Sequence, residues 1–136
     1  MKKKLGFSLI EILLVLVIIG ILTVAITPSF KGYMLRGNRS DAIKSLVHMQ
    51  MNEEKWRVNN TSYTTTITNI SPTGSGASID GHYTLAIGSA SASAYTLTAA
   101  PTGSQADDTD CALFTLTYAN GTTTLTSSPS TTCWQQ

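Results

Sequence analysis

From Phe7 to Ile26 the chain is apolar at every position except Ser8, Glu11, Gly20 and Thr23. A helix needs about 20 mainly apolar residues to cross the hydrocarbon core of a bilayer. This run predicts such a helix over residues 7–30. The pattern then changes. Leu35, Ala42, Leu46, Met49 and Trp56 recur at spacings of three, four or seven, with Ile43 beside them. Asn38, Ser40, Asp41, Lys44, Ser45, His48, Asn52 and Lys55 take the opposite side. That alternation predicts an amphipathic helix. A single helix from Phe7 to about Asn59 would be roughly 80 Å long at 1.5 Å per residue. Pro28, Gly20, Gly32 and Gly37 predict a kink or a melted stretch in its middle.

Asn59-Asn60-Thr61-Ser62 predicts the end of the helix, and a connecting loop rich in Thr, Ser, Gly and Pro follows over 60–81. Four alternating runs then read as strands at 83–87, 94–99, 112–118 and 122–127. Asn120-Gly121 between the last two is a hairpin signal. The expected fold class is α+β. A long N-terminal helix, half apolar and half amphipathic, packs on a C-terminal antiparallel sheet of about four strands, in a globular domain of 31–136.

At 136 residues the chain is long enough for one small domain. Outside the apolar run large hydrophobic residues are sparse, so the domain has little core to bury. Two cysteines, Cys111 and Cys133, offer a covalent staple. In an exported segment they read as a disulfide, the alternative being two unpaired buried thiols. The near-neutral net charge of +1 conceals an asymmetry. Lys2, Lys3 and Lys4 precede the apolar run, and no Lys or Arg follows Arg57, only Asp80, Asp107, Asp108 and Asp110. The lysines place the N-terminus in the cytoplasm and the C-terminal domain outside. An ordinary secretory signal fits poorly, because its apolar core is shorter, about 7–15 residues. The acidic C-terminal half is a poor electrostatic partner for nucleic acid.

Gly6-Phe7-Ser8-Leu9-Ile10-Glu11, behind three lysines and ahead of the apolar run, resembles the processing signal of type IV pilins and pseudopilins. Pro28, the 33–39 segment, Tyr95-Thr96-Leu97-Thr98-Ala99, Gly103-Ser104-Gln105-Ala106 and Cys133-Trp134 are similar to type IVa, PilE-type pilins, many of them minor components. The resemblance is specific before Pro28 and looser after it.

It implies that residues 1–6 are a leader. A prepilin peptidase would cut between Gly6 and Phe7 and methylate the new Phe7 amine. Removal of the leader lysines takes the side-chain balance from +1 to −2. The resemblance also implies a role for Glu11. A carboxylate in the hydrocarbon core costs about 2.5–3.5 kcal/mol even on the lenient scale. Pairing with the Phe7 amine of a neighbouring subunit would relieve that cost and fix assembly register; a snorkelling, protonated carboxylate is the plainer alternative.

The implied function is a structural subunit of a type IV pilus serving adhesion, twitching motility or DNA uptake. The alternatives are a type II secretion pseudopilin, or a minor pilin binding DNA or a surface. Expected partners are other pilin subunits, the prepilin peptidase, the inner-membrane assembly machinery and membrane lipid. DNA binding is not supported by the charge pattern. The precursor would lie in the bacterial inner membrane and the mature form in an extracellular pilus. No enzyme, cofactor or metal is expected. Asp107, Asp108 and Asp110 raise calcium, but the spacing is not an EF-hand loop, and a solvated charge run is the expected reading. His48 and His82 are isolated, and Ser40, Asp41 and His48 on one helix make no triad.

Overall fold

A computed structural model describes residues 7–135, with the backbone alone for 25–29. The expected leader, with Lys2–Lys4 and Gly6, lies outside the described residues. Helix α1 spans Leu9–Val58, and strands β1 (Tyr83–Ala90), β2 (Ala94–Pro101), β3 (Cys111–Ala119) and β4 (Thr122–Pro129) follow. Short 3-10 turns stand at Ile67–Asn69 and Gly103–Asp107. The chain divides into two compact units, Met1–Met34 and Leu35–Gln136.

In the first unit the apolar run is helical from Leu9 onward. Helix α1 continues through Pro28, Gly32 and Gly37, so the expected melted stretch does not form. A proline removes one helical donor and a glycine costs about 1 kcal/mol against alanine, local losses inside a long helix. Among the described residues no helix is long and apolar enough to cross a membrane. The span expected over 7–30 runs into residues 25–29, whose side chains are not described.

In the second unit the amphipathic part of α1 lies against one face of the sheet. The sheet is antiparallel throughout, in the order β1-β2-β3-β4. Register places Leu97 opposite both Ile87 and Leu116, and Leu116 opposite Leu125. The period of two then puts Leu85, Ala99 and Phe114 on that same inner face. Ala42, Leu46 and Met49 of α1 are fully buried with Tyr83, Tyr95, Leu97, Phe114 and Leu116. This cluster is the core that the 3.6 and 2.0 periodicities predict. Each strand runs beyond the sequence expectation at its C-terminal end, because the Gly, Ser, Ala and Pro residues there carry little hydrophobic signal. Between β3 and β4, Asn120 and Gly121 both hold positive φ, 50° and 86°, as a tight two-residue hairpin requires.

The C-terminal tail closes the structure. Cys111 and Cys133 are disulfide-bonded, with Cα atoms 6.0 Å apart. The next residue, Trp134, packs edge-on to Phe114 at 5.6 Å between ring centres. Its indole N–H donates to the Thr126 carbonyl of edge strand β4 at 2.6 Å.

Candidate functional site

Ser8 and Glu11 open α1. The Ser8 carbonyl accepts from the Glu11 N–H at 3.0 Å and the Ile12 N–H at 3.3 Å. Glu11 is therefore the third helical residue, in the first turn. Ser-x-x-Glu at this point is the spacing of a capping box, and an acid there complements the helix dipole. Glu11 is exposed, and beyond it every large apolar side chain to Val24 is 47–77% exposed within the single chain. Phe7 is 81% exposed. An aliphatic surface this continuous far exceeds what monomers leave in water. It is a surface made to be covered.

In the second unit, polar side chains lock α1 to the segments before and after the strands. Asp41 is 1% exposed, although its helical position suggests the solvent side. It accepts from Ser78 Oγ at 2.6 Å and from the N–H groups of Asp80 and His82 at 3.0 and 3.2 Å. Burial pushes its pKa up, but these donors outweigh burial and hold the carboxylate below its ordinary range. Ser45, also buried, accepts from the Ile79 N–H at 3.1 Å. Both residues were expected on the polar face. Backbone of the 78–82 turn covers them, and sequence periodicity carries no sign of such a cover.

Asp108 is the second correction. It is 4% exposed, not part of a solvated charge run. Arg39 Nε and Nη2 donate to its two carboxylate oxygens, each at 2.7 Å. That fork raises the Arg39 pKa, against the opposing effect of burial. Gln105, fully buried, donates to the Leu35 carbonyl and the Tyr83 hydroxyl at 3.0 Å and accepts from Asn38 at 3.1 Å. Burial is the chief reason that the Tyr83 pKa is pushed up to about 12. Among the described residues no group of three or more His, Cys, Asp or Glu side chains could hold a metal ion.

Near the end of α1, Glu53 is fully buried, and its Oε2 accepts from the Thr64 N–H at 3.0 Å. Its other oxygen has no partner among the described residues. Burial raises its pKa despite the Thr64 bond. Next to it, Glu54 receives the hydroxyls of Tyr63 and Tyr95. Tyr95 stacks on Tyr118, and Tyr63 meets Tyr95 edge-on. Burial pushes the Tyr63 and Tyr95 hydroxyls well above the usual tyrosine range.

Asp41 and Glu53 thus hold backbone N–H groups, and Asp108 holds the side chains of Arg39 and Gln105. The decisive comparison concerns families. Residues 28–115 match the family described as "Type IV minor pilin ComP, DNA uptake sequence receptor". The chain belongs to this minor pilin family. Residues 1–27 match the prokaryotic N-terminal methylation motif. The pilin is also 36% identical over 64 residues to the type IV major pilin protein PilE1 of Neisseria gonorrhoeae, covering 42% of this chain and 39% of that one. It is 30% identical over 66 residues to the type II secretion system core protein G of Klebsiella pneumoniae, covering 48% and 47%. The corresponding protein of Escherichia coli (strain K12) is 31% identical over 64 residues, covering 47% and 44%. The matched stretch thus spans less than half of each of these relatives. The type IV pilin resemblance read from the sequence is borne out, and so is the long helix followed by a four-stranded antiparallel sheet.

Proposed function

We propose that this protein is a structural subunit of a type IV pilus, entering the filament as a minor pilin. The observation that carries the reading is the uncovered aliphatic surface of α1 from Leu9 to Val24, borne on a chain whose other end is a well-packed α+β domain. Before assembly, lipid would cover that surface, anchoring the precursor in a membrane with its domain outside. In a filament, the same surface on neighbouring subunits would cover it. Processing is part of the proposal: peptidase cleavage after Gly6, N-methylation of Phe7, and pairing of Glu11 with the Phe7 amine of a neighbour. The match to the N-terminal methylation motif supports it. Intact-mass analysis of the membrane-extracted protein tests the first step. A species that begins at N-methyl-Phe7 is expected. Retention of residues 1–6 in cells with active peptidase would reject it. Sheared pili, probed for this chain, test incorporation.

The family description names a DNA uptake sequence receptor, so duplex DNA is the second reading. Charge places it second. Of the five cations in Leu35–Gln136, Arg39 is held by Asp108, Lys44 lies 3.2 Å from Asp80, and Arg57 donates to the Ala92 and Asn60 carbonyls. Only Arg36 and Lys55 are unengaged among the described residues. Duplex binding draws much of its strength from phosphate neutralisation. A mobility shift with duplex DNA at several salt concentrations separates the readings. Retardation that weakens steeply with salt would favour the receptor role.

A further inference from the structure

The last two turns of α1 and the loop that follows border an open groove. It consists of two adjoining hollows, about 440 and 340 Å³, that share Trp56, Asn60 and Asn69. Asn52, Lys55 and Asn59 complete the first; hydroxyl-bearing residues of the 61–66 loop complete the second. No acidic side chain lines either hollow.

The hydrogen bonds decide what the groove offers. Asn52 Nδ2 donates to the Ile70 carbonyl at 2.9 Å, Asn60 Nδ2 to the Trp56 carbonyl at 2.8 Å and Asn69 Nδ2 to Thr64 Oγ1 at 3.1 Å. Each of these amides spends an N–H on the protein while its oxygen has no partner among the described residues, and the Asn60 and Asn69 nitrogens each keep a second N–H. Trp56 is half-buried, and its indole N–H has no partner among the described residues. The Lys55 ammonium and the Asn59 side chain also have none.

We propose that this groove binds a carbohydrate whose pyranose units carry a carboxylate. A pyranose has an apolar C–H face for the indole and a rim of hydroxyls. Those hydroxyls can donate to the free amide oxygens, which a site of this kind uses for orientation. Lys55 receives the carboxylate. Nucleic acid fits less well. Duplex binding draws on several phosphate contacts, and Lys55 is the single cation among the lining residues. Arg57, the nearest other cation, is already held on two backbone carbonyls. The proposal stands independently of filament assembly, since all of its residues lie in Leu35–Gln136.

The test uses the full chain in detergent micelles with Trp134→Phe, which leaves Trp56 as its single indole. Trigalacturonic acid, neutral maltotriose and a 12-base-pair DNA duplex are titrated while Trp56 fluorescence is followed. Expected is a saturable change with trigalacturonate at millimolar concentration and a weaker one with maltotriose. Lys55→Gln should weaken trigalacturonate binding roughly five-fold, the scale of one exposed ion pair, and leave maltotriose unchanged. Trp56→Ala, followed by saturation-transfer NMR on the sugar, should abolish both. Should Trp56→Ala fail to fold, Asn59→Asp takes its place: an acid in the groove should repel trigalacturonate and spare maltotriose. A flat titration with both sugars overturns the proposal, as does binding indifferent to Lys55. Saturable binding of the duplex alone overturns it in favour of nucleic acid.

Discussion

Arg39 on α1 grips Asp108 on the far side of the sheet's connecting turn through two parallel hydrogen bonds of 2.7 Å. The residues are 69 apart in sequence, and their side chains are 15% and 4% exposed. A paired guanidinium and carboxylate at this depth fix helix register more than they add net stability, because desolvation offsets much of their attraction.

Breaking that pair is a different matter. Arg39→Ala leaves the buried Asp108 charge with Gln105 Nε2 as its one remaining side-chain donor, and should destabilise the Leu35–Gln136 unit by about 3 kcal/mol. Asp108→Asn keeps one acceptor and should cost less. Urea midpoints of the two variants, with unchanged slopes, check both the size and the order.

Acid titration should separate the two buried carboxylates on α1. Glu53 has a raised pKa from burial, so the folded state binds its proton more tightly than the unfolded state. Its favourable contribution is complete below the ordinary carboxylate range and is lost as pH rises through the raised folded value. Asp41 has the opposite sign: its contribution is present above the ordinary value and disappears as pH falls through the depressed one. Glu53→Gln retains an acceptor for the Thr64 N–H and should flatten the loss of stability on the way up to neutral pH. Asp41→Asn should weaken the fold most at neutral pH and blunt the acid limb. Urea denaturation across pH 2–8 reads both effects, on a span set by the ordinary carboxylate values.

Reduction should loosen the C-terminal tail. The Cys111–Cys133 bridge closes a sequence separation of 22, which the chain-entropy model values at roughly 3 kcal/mol. In the Cys111→Ser, Cys133→Ser double variant, melting should fall by several degrees. Hydrogen exchange should rise first at the tail and at β4.

Two substitutions at Glu11 divide its roles. Glu11→Gln preserves an acceptor at the third helical position, whereas Glu11→Ala removes it. If charge pairing with a neighbour's Phe7 amine governs assembly, both variants should be depleted from sheared pili while inserting and being cleaved normally. If capping is all that Glu11 contributes, the Gln variant should incorporate like wild type. The ratio of pilus to membrane protein, by immunoblot, is the measurement.

Much of this architecture is legible in the sequence because one signal dominates each element. The aliphatic run, the Leu46-Met49 stripe and the alternation Leu113-Phe114-Thr115-Leu116 need no tertiary information to interpret. The buried polar residues are illegible for the converse reason. Asp41, Ser45, Glu53 and Asp108 look like surface positions; backbone of later segments meets the first three, and the Arg39 side chain meets the last. Gln105 stands in a short 3-10 turn with no periodicity at all. Lys55 and Trp56 read only as the edge of an amphipathic face, and their shared hollow depends on how the 61–69 loop turns back toward α1.

Trp134 has a consequence for copies of the proposed subunit that meet before assembly. Strand β4 is nearly all Ser and Thr, lies at the sheet margin and would otherwise present free carbonyls to any similar margin it met. The indole occupies the Thr126 carbonyl, and the disulfide beside it holds the tail in place. Domains so shielded resist zipping into continuous sheets. In the subunit proposed above, contacts between neighbours would then fall to the helices and not to this sheet margin.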